Sequence, residues 1–266
     1  MSKRIVSILF SNYKNDNRVY KMATSLAEDG NDVTVLALCY GGVLERETQG
    51  KINVRRIKLK SSILPNGNKL FGSIKYLEFI FRIIWGYSRA DIWHCNDFKP
   101  FMVGVFARFF RRKLKLVYDC HELQSETWGI SSIEKKLTKF IERKFAQSAS
   151  VITVGKSIEQ VYIERYKLDK SRMEIIYNVP HVEIEVTESH ILREAFNIPA
   201  EQKIFIYQGG LSKGRGIPLL LETFKGLKDI HAVFMGYGIF DKDVIEASEN
   251  HVNIHFQEAV PYEKVL

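Results

Sequence analysis

The sequence predicts an α/β protein of two doubly wound domains, the second of them incomplete. Three observations carry that prediction. Apolar runs of strand length alternate with stretches of helical periodicity through residues 1–180, the pattern of parallel strands joined by crossover helices. The pattern breaks after Asn178-Val179-Pro180, giving domains at 1–180 and 181–266. It restarts after Pro199 as strand, helix, strand, helix, strand and stops at Leu266, short of the roughly 100–150 residues a complete domain of this kind takes.

Each element has its own signal. Arg4–Phe10 (RIVSILF) is an apolar run suited to a strand buried on both faces. Val19, Met22, Ala23, Leu26 and Ala27 recur at helical spacing across Asn17–Asp29, and Gly30 stands where a helix C-cap glycine belongs. Asp32–Cys39 is the next strand, and the more polar Ile52–Leu59 reads as a strand nearer an edge. Asp91–Cys95 and Lys115–Asp119 are further strands around a helix at Phe98–Arg112. Ser131 and Glu134 form a capping-box pair that opens a helix running to about Ser148. Ser150–Val154 and Met173–Tyr177 are strands flanking a helix at Ser157–Tyr166. In the second domain the strands fall at Lys203–Gln208, His231–Met235 and Val252–Phe256, with helices at Pro218–Leu227 and Asp241–Glu249.

Composition narrows the class. With 45% hydrophobic and 26% charged residues the chain can bury a real core, which excludes a disordered chain. Three cysteines with no CxxC pair make no disulfide framework. No stretch reaches the roughly 18 uncharged apolar residues of a spanning helix, and the apolar run at the N-terminus is too short for a signal-peptide core, so the sequence predicts a cytoplasmic protein. The net charge of +8 is unevenly spread: Lys51–Lys115 holds 15 Lys/Arg against three acids, a local +12. Basic character confined to one region favours a localised anionic partner over nucleic acid. The aromatic, basic stretches Lys69–Arg89 and Phe98–Lys115 suit a helix lying in the interface of an anionic membrane, on the inner face, and equally suit core helices with basic ends.

Three loops carry chemistry. Gln208–Gly216 (QGGLSKGRG) lies between a strand and a helix. Gly209, Gly210 and Gly216 let the backbone approach an anion, and Lys213 and Arg215 add charge, so the loop is a candidate diphosphate cradle. It is neither a Walker A loop nor a GxGxxG fingerprint. Gly236-Tyr237-Gly238 ends the next strand; by itself such a turn is more often structural. Tyr118-Asp119-Cys120-His121-Glu122 ends a first-domain strand, where doubly wound folds place their ligands, and Asp119, His121 and Glu122 are candidate catalytic groups. Two other patterns point away from function. Asp241-Lys242-Asp243 opens a helix, where acids favour the dipole, and so is set aside as a metal motif. His94-Cys95 with Cys120-His121 formally matches a zinc set, but cysteine readily fills buried strand ends. No metal site is assigned.

These residues, in this order, resemble the retaining glycosyltransferases of family 4, which have the two-domain Rossmann-like GT-B fold. The resemblance runs over nearly the whole chain: Asn15-Asp16-Asn17-Arg18-Val19, Ala90–His94, Tyr118–Glu122, Ile175–Pro180, Gly209–Gly216, Gly236–Gly238 and Asn253–Phe256. It implies transfer of a sugar from a UDP-sugar or GDP-sugar to a glycan or lipid-linked acceptor, without a cofactor. His121 matches the family's active-site histidine, and Arg215-Gly216 matches a Lys-Gly that contacts the donor diphosphate. Gly210 stands where the family has an arginine. Asn15, Asp16 and Arg18 occupy the first-domain loop that usually carries Gly-Gly, and Asn178, Gly236 and Gly238 fall in the donor crevice. The family's Glu-x7-Glu pair has no counterpart in the second domain. Glu126, Glu134 and Glu142 show the spacing but lie in the first domain, where a period of eight reads as a solvent stripe of a helix. The resemblance therefore implies a truncated chain with weak activity or none. The alternatives are a sugar-nucleotide epimerase of the same fold and a non-catalytic binding protein. A nicotinamide dehydrogenase is disfavoured, because Ser11-Asn12-Tyr13-Lys14 after the first strand has no glycine fingerprint.

Overall fold

The computed structural model describes residues 2–14, 16–65, 67–127, 129–179, 189–227 and 229–260. The chain divides into two compact units, Met1–Pro180 and His181–Leu266.

The first unit runs β1 (Arg4–Ile8), α1 (Asn17–Glu28), β2 (Asp32–Leu38), β3 (Arg46–Gln49), β4 (Ile52–Ile57), α2 (Lys69–Gly86), β5 (Ile92–Asn96), α3 (Phe98–Phe110), β6 (Lys115–Cys120), α4 (Ser132–Phe145), β7 (Ser150–Thr153), α5 (Lys156–Tyr166) and β8 (Met173–Ile175). Its sheet has eight strands in the order β3-β4-β2-β1-β5-β6-β7-β8. Every neighbouring pair is parallel except β3 with β4. From β1 the chain builds outward through β2 and β4, then returns to place β5 on the other side of β1. The carboxyl ends of β1 and β5 therefore flank a topological switch point, where open α/β sheets bind ligands.

The local sequence explains the elements. In α1, Val19, Ala23 and Ala27 are buried at a spacing of four, and the Asp16 side chain caps the helix by accepting from the Val19 N–H. Ser131 and Glu134 form both halves of the capping box of α4. Strand β3 (RETQ) is polar and half-exposed, so it carries no apolar signal; it exists by pairing with β4. Helix α2 is apolar on most of its circumference, yet it buries only Phe79, Ile80 and Ile83.

The second unit contains α6 (Ile191–Phe196), β9 (Lys203–Gln208), α7 (Ile217–Lys225), β10 (Ile230–Gly236), α8 (Asp241–Asn250) and β11 (Ile254–Glu258). Its described strands form a parallel sheet in the order β11-β10-β9, with Leu211, Ile217, Leu221, Phe234, Val244 and Ile254 in the core. Phe205 and Ile206 of β9 remain half-exposed. The helix α6 is too short to have shown a periodicity in the sequence.

Candidate functional site

In the first unit the chemistry gathers on the carboxyl edge of β5 and β6. Asp119, next to last in β6, is fully buried. Three side chains converge on its carboxylate. Arg18 Nη2 donates to Oδ1 at 2.6 Å, His94 Nε2 lies 3.3 Å from Oδ2, and His121 Nε2 lies 3.5 Å from Oδ2. Burial pushes the Asp119 carboxyl up, but the hydrogen bonds and charge of His121, His94 and Arg18 outweigh it and hold the group far below the usual carboxylate range. Arg18 is anchored from its other nitrogen, since Nη1 donates to the Ile176 carbonyl at 3.1 Å. It belongs to the first turn of α1, and only 7% of it is exposed. Asp119 and Arg18 are thus an internal scaffold, and His121 is the member of the cluster that reaches solvent, with 23% of its side chain exposed.

A second carboxylate holds the opposite ring nitrogen. His121 Nδ1 lies 3.4 Å from Asp97 Oδ2, and the His121 backbone N–H donates to Asp97 Oδ1 at 3.4 Å. Burial alone would lower the imidazole, but Asp119 and Asp97 together raise it above its ordinary value. Asp97 precedes α3 with φ 69° and ψ 178°, a conformation suited to glycine and costing a side-chain-bearing residue ~1–3 kcal/mol. Its N–H donates to the Asp119 carbonyl at 2.9 Å, which locks the strained residue against β6.

The imidazole opens into a cavity of about 580 Å³ at the switch point. Its lining includes Phe10 and Ser11 after β1, Asn96 at the end of β5, Asp97 after it, and Lys99 of α3. Asp16 also lines it while capping α1. Asn96 donates to Ser7 Oγ and the Ile8 carbonyl, at 2.9 and 3.1 Å, which leaves its buried Oδ1 without a partner among the described residues. Glu122 is exposed and accepts from Thr127 Oγ1 at 3.2 Å. Asn178 is exposed beyond β8, and Asn15 lies outside the described residues. Asp97, Asn96 and His94 were not singled out as catalytic from the sequence. His94 had appeared in the zinc pattern and in the resemblance, whereas the one signal of Asn96 and Asp97 was position, at the end of a strand directly before a helix.

In the second unit the two glycine loops are knitted together by backbone. Gly209 N–H donates to the Met235 carbonyl at 3.0 Å, and Leu211 N–H to the Tyr237 carbonyl at 2.9 Å. A Cβ on Gly236 would stand 1.9 Å from the Gly209 carbonyl oxygen, and one on Gly238 would stand 2.3 Å from that of Leu211. Gly236 and Gly238 are therefore required by this close approach. Gly210 accepts from the Tyr207 hydroxyl at 2.9 Å through its carbonyl. Gly216 caps α7 with φ 74°, in the left-handed region that favours glycine, and Pro218 stands in the first turn of the helix. Lys213 and Arg215 are exposed and make no ion pair with a described residue. The loop offers cations and amide donors, the requirements of a diphosphate cradle. Among the described residues, no group of three or more His, Cys, Asp or Glu is arranged to hold a metal ion.

The model of Glycosyltransferase Family 4 matches residues 16–181, more than half of the sequence and the part that contains Arg18, Asp97, Asp119 and His121. Solved structures show the same two-domain GT-B fold. Sucrose-phosphate synthase from Thermosynechococcus elongatus superposes with a TM-score of 0.75 at 14% identity, covering 98% of this chain and 71% of that one. HepE from Anabaena, solved with UDP-glucose, gives 0.66 at 16% identity, with 97% and 70% covered. A UDP-N-acetylglucosamine 2-epimerase gives 0.54 at 11% identity, with 98% and 70% covered. No curated protein matches the sequence.

Proposed function

The chain belongs to Glycosyltransferase Family 4, and from that premise we propose that it transfers a sugar from a UDP-sugar or GDP-sugar to a glycan or lipid-linked acceptor, with retention at the anomeric carbon. The observation that carries the reading is His121, held between two carboxylates at the mouth of a switch-point cavity. In this reading the first unit binds the acceptor and the second binds the donor diphosphate. HepE with its UDP-glucose supports a sugar nucleotide as donor. The epimerase shares the fold, so fold alone does not choose between the two activities; the family match over 16–181 favours transfer.

The residues divide the work as follows. Sugar transfer places positive charge on the anomeric carbon and negative charge on the departing diphosphate. Arg215, Lys213 and the loop amides that make no backbone bond to a described residue, among them those of Gly210 and Gly214, offset the leaving-group charge. His121 Nδ1, 3.4 Å from Asp97 Oδ2, turns its N–H from that carboxylate to a hydroxyl of the transferred sugar or acceptor. Asp97 and Asp119 fix both ring nitrogens and favour the protonated ring, and Arg18 and His94 keep Asp119 ionised. Glu122 lies beside the histidine in sequence and presents a carboxylate to solvent. No cofactor enters this chemistry.

A membrane-bound acceptor agrees with the surface of the first unit. Leu70, Ile74, Leu77, Phe81 and Trp85 form an exposed stripe along α2, within the segment that carries the +12 charge. Among the described residues no helix is long and apolar enough to cross a membrane, so the stripe would lie on the surface of a bilayer. The test of the reaction is product analysis by NMR after incubation with UDP- and GDP-sugars. Retention of the donor's anomeric configuration is expected, with His121→Ala slowing release roughly 10–100-fold, the loss of ~1.4–2.7 kcal/mol of transition-state binding. Inverted product, or turnover indifferent to His121, would contradict the reading.

A further inference from the structure

At the opposite edge of the first sheet, below the amino ends of β1, β5 and β6, lies a second cavity of about 720 Å³. Its lining includes Lys3, Arg111, Arg112, Lys113 and Lys115, with Asp91 the one acid. Asp91 is already engaged: its Oδ2 accepts from the Arg4 N–H at 2.8 Å and pairs with Arg4 Nε at 3.7 Å. The cavity is thus an excess of cations on a concave wall. Cations beyond a helix carboxyl end are favourable in their own right, and this accounts for Arg112 and Lys113.

It does not account for Arg111. One side of its guanidinium is fixed, since Nη2 donates to the Ala90 carbonyl at 2.7 Å and Cζ lies 5.9 Å from the centroid of the buried Trp93 ring. The other side, Nη1, is buried and has no hydrogen-bond partner among the described residues. Burial presses its pKa down against the opposing pull of Asp91. A buried donor left open is a cost that a bound acceptor removes. A fixed guanidinium with an open donor, in a cavity that Lys3, Lys113 and Lys115 also line, suits an oxyanion of several oxygens and more than one charge, which is a phosphate.

Phe109 and Phe110, immediately before Arg111, are 68% and 79% exposed, and Trp85 at the end of α2 is 73% exposed. A soluble anion has no use for exposed aromatic rings, whereas a lipid buries them as its headgroup meets the cations. We propose that this cavity binds the phosphate of an anionic lipid headgroup and so anchors the first unit to the membrane at the end remote from His121. This rests on the membrane reading above and adds to it one specific phosphate site.

The experiment uses the full chain in two arms. In the first, inorganic phosphate is titrated without lipid while Arg111 and its neighbours are followed by NMR. A saturable shift at Arg111, lost in Arg111→Gln and weakened in Arg111→Lys, is expected; no saturable shift overturns the phosphate site. In the second, binding to phosphatidylglycerol vesicles is compared between Arg111→Gln and Lys135→Gln, which removes the same charge from α4. Arg111→Gln is expected to weaken binding about tenfold and Lys135→Gln about twofold. Equal losses overturn the lipid headgroup and leave a soluble phosphate as the ligand. Failure of the unaltered chain to bind any vesicle overturns the membrane reading itself, while the first arm still decides the phosphate site. Thermal melts confirm folding, and Arg111→Lys keeps the charge should the glutamine variant be unstable.

Discussion

His121 sits between two carboxylates that do different work. Asp119 is buried, fully paired and held far below the ordinary carboxylate range, so it orients the ring from inside the fold. Asp97 is strained and only partly covered, so it is the partner a substitution can probe. Replacing Asp97 with Asn removes a negative charge from Nδ1, and the His121 pKa should move down toward or below 6.5, read by NMR titration of the ring. Because the folded value is raised, the pair contributes stability in full below the unfolded pKa of about 6.5, and that contribution is lost as pH rises through the folded value. Asp97→Gly should relieve backbone strain and raise stability by ~1 kcal/mol while slowing transfer; a variant both less stable and fully active would contradict the assigned role. Arg18→Ala leaves Asp119 buried and unpaired and should cost ~3–5 kcal/mol in denaturant unfolding. The histidine and its neighbour Asp119 were legible in the sequence because polar residues clustered at a strand end. Asp97 was not, since neither a positive φ nor a partner 24 residues away leaves a trace in spacing. Arg18 was legible as part of a motif but not as the buried counter-ion of Asp119.

The helix α4 shows the same limit at the scale of one element. A period of eight through Glu126, Glu134 and Glu142 reads as a solvent stripe, and the structure gives the three carboxylates three different surroundings. Glu126 sits before the helix and pairs with Lys135, Lys139 and Arg165. Glu134 caps the helix start. Glu142 is fully buried, and it accepts from the hydroxyls of Tyr118, Tyr162 and Tyr166 at 2.9, 2.5 and 2.6 Å. The solvent-stripe expectation fails for Glu142 because tyrosine hydroxyls from β6 and α5 supply the acceptor's partners, and helical spacing carries no information about other elements. The same network reaches the active edge: Cys120 Sγ lies 3.0 Å from the Tyr162 hydroxyl and donates to the Glu122 carbonyl at 2.8 Å. Burial pushes the Cys120 thiol up to about 12, so it stays protonated as a donor. Glu142→Ala should therefore lower stability by ~3–5 kcal/mol, well beyond Glu126→Ala, whose ion pairs lie in solvent and are screened. On α2, Phe81→Ser with Trp85→Ser should reduce binding to anionic vesicles, and binding by the unaltered chain should fall as salt rises, because exposed charges are screened over about 10 Å at 0.1 M. Binding that ignores both salt and these substitutions would leave the stripe without a membrane role.

At the scale of the whole molecule, most of the fold was readable because parallel strands buried on both faces write themselves as apolar runs. The eight-stranded order of the first unit follows from connections that the sequence shows only as lengths. The polar strand β3 and the short helix α6 were silent, since their stability comes from neighbours and not from their own pattern. The restart after Pro199 was visible, and so were the glycines of the second unit. That Gly236 and Gly238 lie against the carbonyls of Gly209 and Leu211, and so shape the loop carrying Lys213 and Arg215, leaves no trace in spacing because it is a contact between separate strand ends. The proposed transfer depends on this loop binding a nucleotide diphosphate. Isothermal calorimetry with UDP and GDP on the unaltered chain and on Arg215→Ala tests it most directly. One of the two nucleotides should bind, and Arg215→Ala should weaken it by ~1–3 kcal/mol, about 5–150-fold. Binding of equal strength in the two proteins, or binding of neither nucleotide, would contradict it.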